Sequence, residues 1–136
     1  RDLHSFPTRR SSDLGILEKV KTHAGDVDFE VQPELLSLFS NRDFGRYAGE
    51  KGEMNVCFIS NNDITGGNSG SAMFNARGEL LGLAFDGNWE AMSSDILYEP
   101  KMQRCIGDDV RYILFMIEKY GKAGDLIREL KIVSGK

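Results

Sequence analysis

The sequence predicts a mostly β domain with C-terminal α-helices, and three patterns support this fold class. Residues 54–60 form a nearly continuous apolar run of strand length, bounded by turn-forming residues. Residues 72–74 and 79–85 flank an Asn-Ala-Arg-Gly turn, an arrangement typical of a β-hairpin. Apolar side chains recur with helical spacing over residues 110–117, which predicts an amphipathic helix after the strands.

Shorter patterns suggest the remaining elements. Short strands are predicted at residues 16–20, 29–32 and 96–98. Helices are predicted at residues 34–39, opened by Pro33, and at residues 125–130. Residues 41–51 are charged and interrupted by glycine, so we expect a loop there. Gly107, Asp108 and Asp109 are expected to cap the helix that starts at residue 110.

Composition and charge limit the classes of partner. The chain has 136 residues, a formal net charge of -4 and 40% hydrophobic residues, which suits one modest globular domain. A mildly acidic chain without a basic stripe is not attracted to nucleic acid or to an anionic membrane. No apolar stretch approaches the ~20 residues that a membrane-spanning helix needs. No secretory signal is visible in the sequence.

The cysteine and histidine residues suggest neither a metal site nor a cofactor. Cys57 and Cys105 permit one disulfide, but two buried free thiols are the simpler explanation. His4 and His23 are the two histidines, and together with the cysteines they lack the short spacing of metal ligands. We therefore expect no metal and no cofactor.

The first 14 residues differ in character from the rest. Residues 1–14 have neither helical nor strand periodicity, and they resemble a translated adaptor sequence. The alternative is a genuine disordered terminus. We therefore predict a non-native or disordered segment at residues 1–14 and a single folded domain at residues 15–136.

The strongest functional signal is the glycine-studded stretch of residues 62–72, called the polar loop below. Ser69 lies in its Gly-Asn-Ser-Gly-Ser sequence, and a serine hydroxyl is a useful nucleophile only when it is exposed and accompanied by oxyanion-binding amides. Gly67 can adopt dihedrals that turn its amide toward that of Ser69, and Gly70 leaves space in front of the hydroxyl. We therefore predict Ser69 as the nucleophile, with the Gly67 and Ser69 amides as the oxyanion hole.

Two other interpretations of the polar loop are open at this point. A glycine-rich hairpin loop with exposed serines needs no chemistry at all. The strand-to-helix elbow of α/β-hydrolases also carries a G-x-S-x-G sequence, but Met73 and Phe74 are followed by a turn and not by a helical pattern.

A family resemblance adds to these observations. Gly67-Asn68-Ser69-Gly70-Ser71 resembles the nucleophile loop of chymotrypsin-fold serine peptidases. The chain as a whole resembles the bacterial dipeptidyl-peptidases seven and eleven, which form serine peptidase family forty-six. Four further segments carry this resemblance: residues 62–66, residues 81–92, Arg-Asp-Phe-Gly-Arg-Tyr at 42–47 and Asp-Val-Arg-Tyr at 109–112. The similarity runs from about residue 32 to residue 130.

The resemblance implies a fold, an activity and two further site residues. The chain would be part of the second β-barrel of a chymotrypsin-like double-barrel peptidase, within a serine dipeptidyl aminopeptidase that acts on peptides with a free N-terminus. Asp86 would hold the α-ammonium of the substrate. Gly87, where family members carry arginine or glycine, would favour a hydrophobic second residue.

The triad histidine and aspartate come from an N-terminal barrel in this family, so His23 is not expected to act as the base. The isolated chain is therefore expected to be inactive. Two rival hypotheses stay open: an endopeptidase of the same fold, and a catalytically silent fragment or binding module. The family resemblance also implies a periplasmic or cell-surface location in a bacterium, and it leaves a homodimer open.

Overall fold

The computed structural model describes residues 10–93 and 96–133. The strands are β1 (Arg10–Ser12), β2 (Asn55–Ser60), β3 (Ala72–Phe74), β4 (Leu80–Gly87) and β5 (Cys105–Asp109). The helices are α1 (Asp13–Thr22), α2 (Pro33–Ser40), α3 (Val110–Phe115), which continues into a π-helical turn at Met116–Tyr120, and α4 (Gly124–Arg128). The prediction of a mostly antiparallel sheet with C-terminal helices is confirmed.

Residues 10, 57–93 and 96–110 form one compact unit, and residues 11–56 and 111–133 form a second. The sheet has the strand order β1-β2-β5-β4-β3, and β5 pairs antiparallel with both β2 and β4. The predicted hairpin is confirmed: β3 pairs with β4, and Gly78 in the turn between them has a φ of 74°. A left-handed residue is what closes a short hairpin turn of this kind.

The core of the first unit is small and tightly packed. Met73, Ala84 and Cys105 are buried, and Phe58 and Ile64 pack against them. Burial raises the pKa of the Cys105 thiol. Gly107 lies opposite these side chains on β5, and a Cβ at this position would lie 3.2 Å from the ring of Phe58. The same Cβ would lie 2.5 Å from Sδ of Met73, so a side chain at residue 107 requires Met73 to shift.

The central strand β5 corrects two predictions. Residues 107–109, expected to cap a helix, are strand residues, and Val110 begins α3 directly after them. The strand predicted at residues 96–98 is absent, and Ile96 is 93% exposed. Glycine and aspartate have low β-propensity, but two strand partners outweigh it by supplying backbone hydrogen bonds on both sides. Strand β2 is mostly half-buried, although a nearly continuous apolar run such as residues 54–60 is typical of a strand buried on both faces.

Two predicted strands in the second unit are also wrong. Residues 16–20 lie in α1, where half-buried Ile16, Leu17 and Val20 form one face at i, i+1 and i+4. At residues 29–32 the chain leaves a short helical turn, Val27–Phe29, and runs extended into α2 without pairing. Residues 16–20 combine three apolar and two charged residues, and so short a segment fits a strand and a helix equally well.

Residues 11–14 take part in this unit although the sequence suggested excluding them. Asp13 is 1% exposed, its amide donates to the Met54 carbonyl at 3.0 Å, and its Oδ1 accepts from the Met54 amide at 2.9 Å. This reciprocal pair explains how a carboxylate is buried without a cation. The proposed boundary between residues 14 and 15 stays a prediction, and His4 lies outside the described residues.

The second unit is built around aromatic side chains. Phe39, Phe44 and Phe115 are at most 1% exposed, with ring centroids 5.8–6.2 Å apart. Phe44 belongs to the predicted loop at residues 41–51, which the structure confirms apart from a short helical turn at Gly45–Tyr47. The buried ring of Phe44 therefore anchors this loop, which its charged residues did not predict.

Polar contacts join the same loop to the π-helical turn. Lys119 pairs with Asp43 at 2.9 Å, and Arg46 pairs with Glu118 at 3.3 Å. The hydroxyl of Tyr47 donates to Glu118 and lowers the pKa of that carboxyl group. The pKa of Tyr47 is raised, chiefly because burial disfavours the phenolate. The predicted family segment at residues 42–47 thus has a packing role in this unit.

The cysteines are free thiols and are not joined to each other. In residues 10–93 and 96–133, none of the helices combines the length and apolarity that crossing a membrane requires.

Candidate active site

The polar loop is fastened to strand β4 by backbone hydrogen bonds. The Gly70 amide donates to the Ala84 carbonyl at 2.7 Å, and the Ala84 amide donates to the Ser71 carbonyl at 2.8 Å. Within the loop, the side-chain oxygen of Asn68 accepts from the Thr65 amide at 2.9 Å. These contacts fix the position of residue 69 relative to β4.

Ser69 is exposed, and its Oγ donates a hydrogen bond to the Phe85 carbonyl at 3.2 Å. That carbonyl is available because β4 is bulged: Ala84 pairs with Gly107 and Asp86 with the next residue, Ile106, so Phe85 is extra. Bulges of this kind redirect side chains and are frequent beside active sites. The hydroxyl is therefore held at the place where β4 departs from regular pairing.

Two glycines of the polar loop have left-handed backbone conformations. Gly67 has a φ of 95° and Gly70 a φ of 87°, values that residues with a Cβ rarely adopt. Among the described residues, the amides of Gly67 and Ser69 have no hydrogen-bond partner. Two exposed donors two residues apart, beside a serine hydroxyl, are the groups that an oxyanion hole requires.

A cleft of about 240 Å³ opens beside Ser69. Polar loop residues form one side, and the end of β4 and the helical turn Trp89–Ser93 form the other. Its lining consists of Ile64, Thr65, Gly66, Ser69, Phe85, Asp86, Gly87, Asn88, Ala91 and Met92. The structure thus brings Ser69, Asp86 and Gly87 to one cleft, while Gly67 lies in the adjoining loop.

Asp86 is an exposed carboxylate at the edge of this cleft. It lies within β4, which ends at Gly87, two residues beyond the predicted strand at residues 79–85. Its Oδ1 accepts from the Gly87 amide at 2.8 Å. Within the described part of the chain, no lysine or arginine forms an ion pair with it. The carboxylate is therefore free to bind an external cation.

Asn88 is a site residue that sequence reasoning missed. Its Oδ1 accepts from the Arg104 amide at 2.8 Å, and its Nδ2 donates to the Met102 carbonyl at 2.9 Å and to Glu90 at 2.7 Å. Its own amide donates to the Arg104 carbonyl at 2.9 Å. Asparagine after a strand signals a local turn, but the bonds to residues 102–104 depend on the tertiary fold.

No histidine is among the described residues that line the cleft beside Ser69. The ring of His23 stacks on Phe29 with centroids 4.1 Å apart, and its Nδ1 lies 2.9 Å from the Thr22 hydroxyl. These contacts occupy the imidazole within its own unit. His23 is exposed and makes these contacts with Phe29 and Thr22, and the expectation that it is not the base stays a prediction.

The comparisons with known proteins are consistent with one another. Residues 10–132 match the family profile described as Peptidase S46. Dipeptidyl-peptidase 7 of Porphyromonas endodontalis is 54% identical over 125 residues, which are 92% of this chain and 15% of that protein. An Asp/Glu-specific dipeptidyl-peptidase of Capnocytophaga gingivalis is 47% identical over 119 residues, which are 88% of this chain and 16% of that protein.

A solved structure gives the same result. The crystal structure of Porphyromonas endodontalis DPP11 in complex with the dipeptide Arg-Glu superposes with a TM-score of 0.84 at 42% sequence identity. The match covers 95% of this chain and 18% of the solved chain. The chain thus spans 15–16% of the length of the curated relatives described above.

Proposed function

The chain belongs to the Peptidase S46 family, and we propose that it supplies the nucleophile and part of the substrate site of a serine dipeptidyl-peptidase. The observation that carries this proposal is the shared cleft of Ser69 and Asp86. The Asp86 carboxylate forms no ion pair with a described lysine or arginine, so it can bind the amine of a substrate. A nucleophile beside it then suits a substrate whose free amine lies a fixed distance from its scissile bond.

In the proposed mechanism, Ser69 Oγ attacks the carbonyl carbon of the second substrate residue. The hydroxyl proton passes to a base, and the carbonyl oxygen, now negative, accepts hydrogen bonds from the Gly67 and Ser69 amides. The C–N bond then breaks, and the base returns the proton to the leaving amine. Water hydrolyses the resulting acyl-enzyme by the same steps. By family resemblance, the base is a histidine oriented by an aspartate, both outside this chain.

Asp86 makes the proposed enzyme an exopeptidase. Its second oxygen is available for the substrate α-ammonium, while the first is held by the Gly87 amide. A charge-assisted hydrogen bond of this kind is about twice as strong as a neutral one. An internal peptide bond offers no ammonium at this distance, so it gains nothing from the carboxylate.

The second substrate residue is proposed to be hydrophobic. Gly87 contributes no side chain to the cleft, and the lining residues include Ile64, Ala91 and Met92 but neither lysine nor arginine. An apolar side chain is stabilised by about 25 cal/mol per Å² of surface that it buries there. An acidic side chain would lose hydration without gaining a charged partner.

The test of the proposed nucleophile uses fluorophosphonate labelling of the full-length protein that carries this chain. Ser69→Ala should abolish labelling and turnover, because no oxygen remains to attack. Ser71→Ala is the matched control, two residues away in the same loop, and it should still be labelled. Persistent labelling of the Ser69→Ala protein would show that another residue is the nucleophile.

The proposal also covers the fold of the domain, its bounds, the location of the enzyme and the activity of the isolated chain. The antiparallel sheet is part of a chymotrypsin-like second barrel, supported by the order of polar loop and hairpin and by the family resemblance. Residues 15–136 form the corresponding domain. The full-length enzyme acts in the periplasm or at the cell surface, and a homodimer is one possible oligomeric state. The isolated chain is inactive, because Ser69 lacks a base.

A further inference from the structure

Gly87 is a glycine for reasons of space and not of backbone conformation. Its φ lies outside the left-handed region, so alanine would meet no backbone penalty at this position. A Cβ built on Gly87, however, would lie 2.8 Å from the Cβ of Ala91 and 3.5 Å from Cγ2 of Ile64. The first distance is shorter than real Cβ atoms adopt, so a side chain at residue 87 requires Ala91 to move or to disappear.

Ala91 has little freedom to move. Its side chain is 9% exposed, and its amide donates to the Asn88 carbonyl at 2.9 Å. Asn88 is itself fixed by four hydrogen bonds, three from its side chain and one from its amide, and three of these connect it to residues 102–104. The turn that carries Ala91 is therefore tied to residues 102–104, which lead into β5.

We infer that Ala91 is a second specificity-determining residue, coupled to Gly87 through the space between their β-carbons. The Ala91 methyl group occupies the room that a side chain at residue 87 needs. Both positions together then decide whether the cleft stays open to an apolar substrate side chain or receives a side chain from β4. This role in specificity rests on the proposed function, whereas the steric coupling does not.

The coupling is tested first by stability, without reference to activity. Gly87→Ala, Ala91→Gly and the double variant are made in the full-length protein, and their thermal unfolding is compared. Gly87→Ala should lower Tm by a few degrees, and adding Ala91→Gly should raise the Tm of that variant, although Ala91→Gly alone lowers it. Gly15→Ala is the control, since a Cβ there meets nothing within 4 Å and its Tm should not fall. Additive Tm changes in the double variant would overturn the coupling.

The specificity role is tested with a side chain that can bind an acidic substrate. Gly87→Arg and the Gly87→Arg/Ala91→Gly double variant are assayed on dipeptide substrates whose second residue is Leu or Asp. The double variant should shift the ratio of kcat/KM toward Asp by about tenfold more than Gly87→Arg alone. An equal shift in both variants would show that Ala91 does not affect specificity. If the unaltered protein releases no dipeptides, the proposed function fails, while the Tm comparison still decides the coupling.

Discussion

Replacing Asp86 by asparagine removes one negative charge from the cleft while leaving the side-chain shape almost unchanged. The asparagine Oδ1 can still accept the hydrogen bond that the Gly87 amide donates at 2.8 Å. The end of β4 should therefore keep its conformation. What is lost is the attraction between the second carboxylate oxygen and the α-ammonium of a bound peptide.

The expected size of this loss follows from the exposure and partners of Asp86. Hydrogen bonds to charged groups contribute about 1.5–3 kcal/mol, which corresponds to a decrease in kcat/KM of about 12- to 140-fold. Asp86 is exposed in this chain, and solvent weakens exposed ion pairs. We therefore expect a value toward the lower end, about tenfold, for substrates with a free N-terminus.

The assay compares a free dipeptide substrate with its N-acetylated form in the full-length protein. Acetylated substrate has no ammonium, so its already slow cleavage should be nearly unaffected by Asp86→Asn. Asp28→Asn is the charge-matched control, an exposed aspartate in the other unit, and it should leave both rates unchanged. An equal decrease for free and acetylated substrates would refute amine binding. The role of Asp86 would then be structural, as the acceptor of the hydrogen bond from the Gly87 amide.

Two further predictions concern the second unit. Phe115→Ala should lower the free energy of unfolding by about 3–5 kcal/mol in urea titrations, because Phe115 is fully buried against two other rings; the exposed Leu130→Ala should change it by less than about 0.5 kcal/mol, and equal effects would contradict the core assignment. The lowered pKa of Glu118 means that its stabilising contribution is present above its ordinary value of 4.5 and is lost as the pH falls through the lowered pKa. Glu118→Gln should therefore reduce the unfolding midpoint at neutral pH and flatten its decline in acid, whereas an unchanged acid profile would show that other groups cause the decline.

The elements that sequence predicted correctly are those whose pattern is complete within a few residues. The hairpin at residues 72–87 carries its own turn signal, and the helix after residue 110 carries its own apolar face. Strand β5 lacks both, because Gly107 and the two aspartates after it have no apolar alternation. Its strand conformation depends on pairing with β2 and β4, which end 45 and 18 residues before β5 begins.

The site residues likewise fall into those that a short stretch of sequence predicts and those that depend on the tertiary fold. Ser69 and its flanking glycines were predictable because the polar loop is one short stretch with a specific order of residues. Asn88 was not, since its bonds reach residues 102–104, and Ala91 was not, because an alanine carries no chemical signal. The bulge at Phe85, which frees the carbonyl that holds the Ser69 hydroxyl, arises from pairing with β5 and has no local sequence signature.

The attachment of the polar loop to β4 has a consequence for how many residues are released from a substrate. Ser69 is fixed to β4 at residues 84 and 85, and the proposed amine-binding carboxylate is the next residue along the same strand. Moving that carboxylate by one residue turns it to the opposite face of the sheet, and moving it by two displaces it about 6.8 Å. One extra substrate residue adds only about 3.4 Å. A change from dipeptide to tripeptide release is therefore not reachable by a simple shift along β4, and it would require a new cation-binding group from another part of the protein.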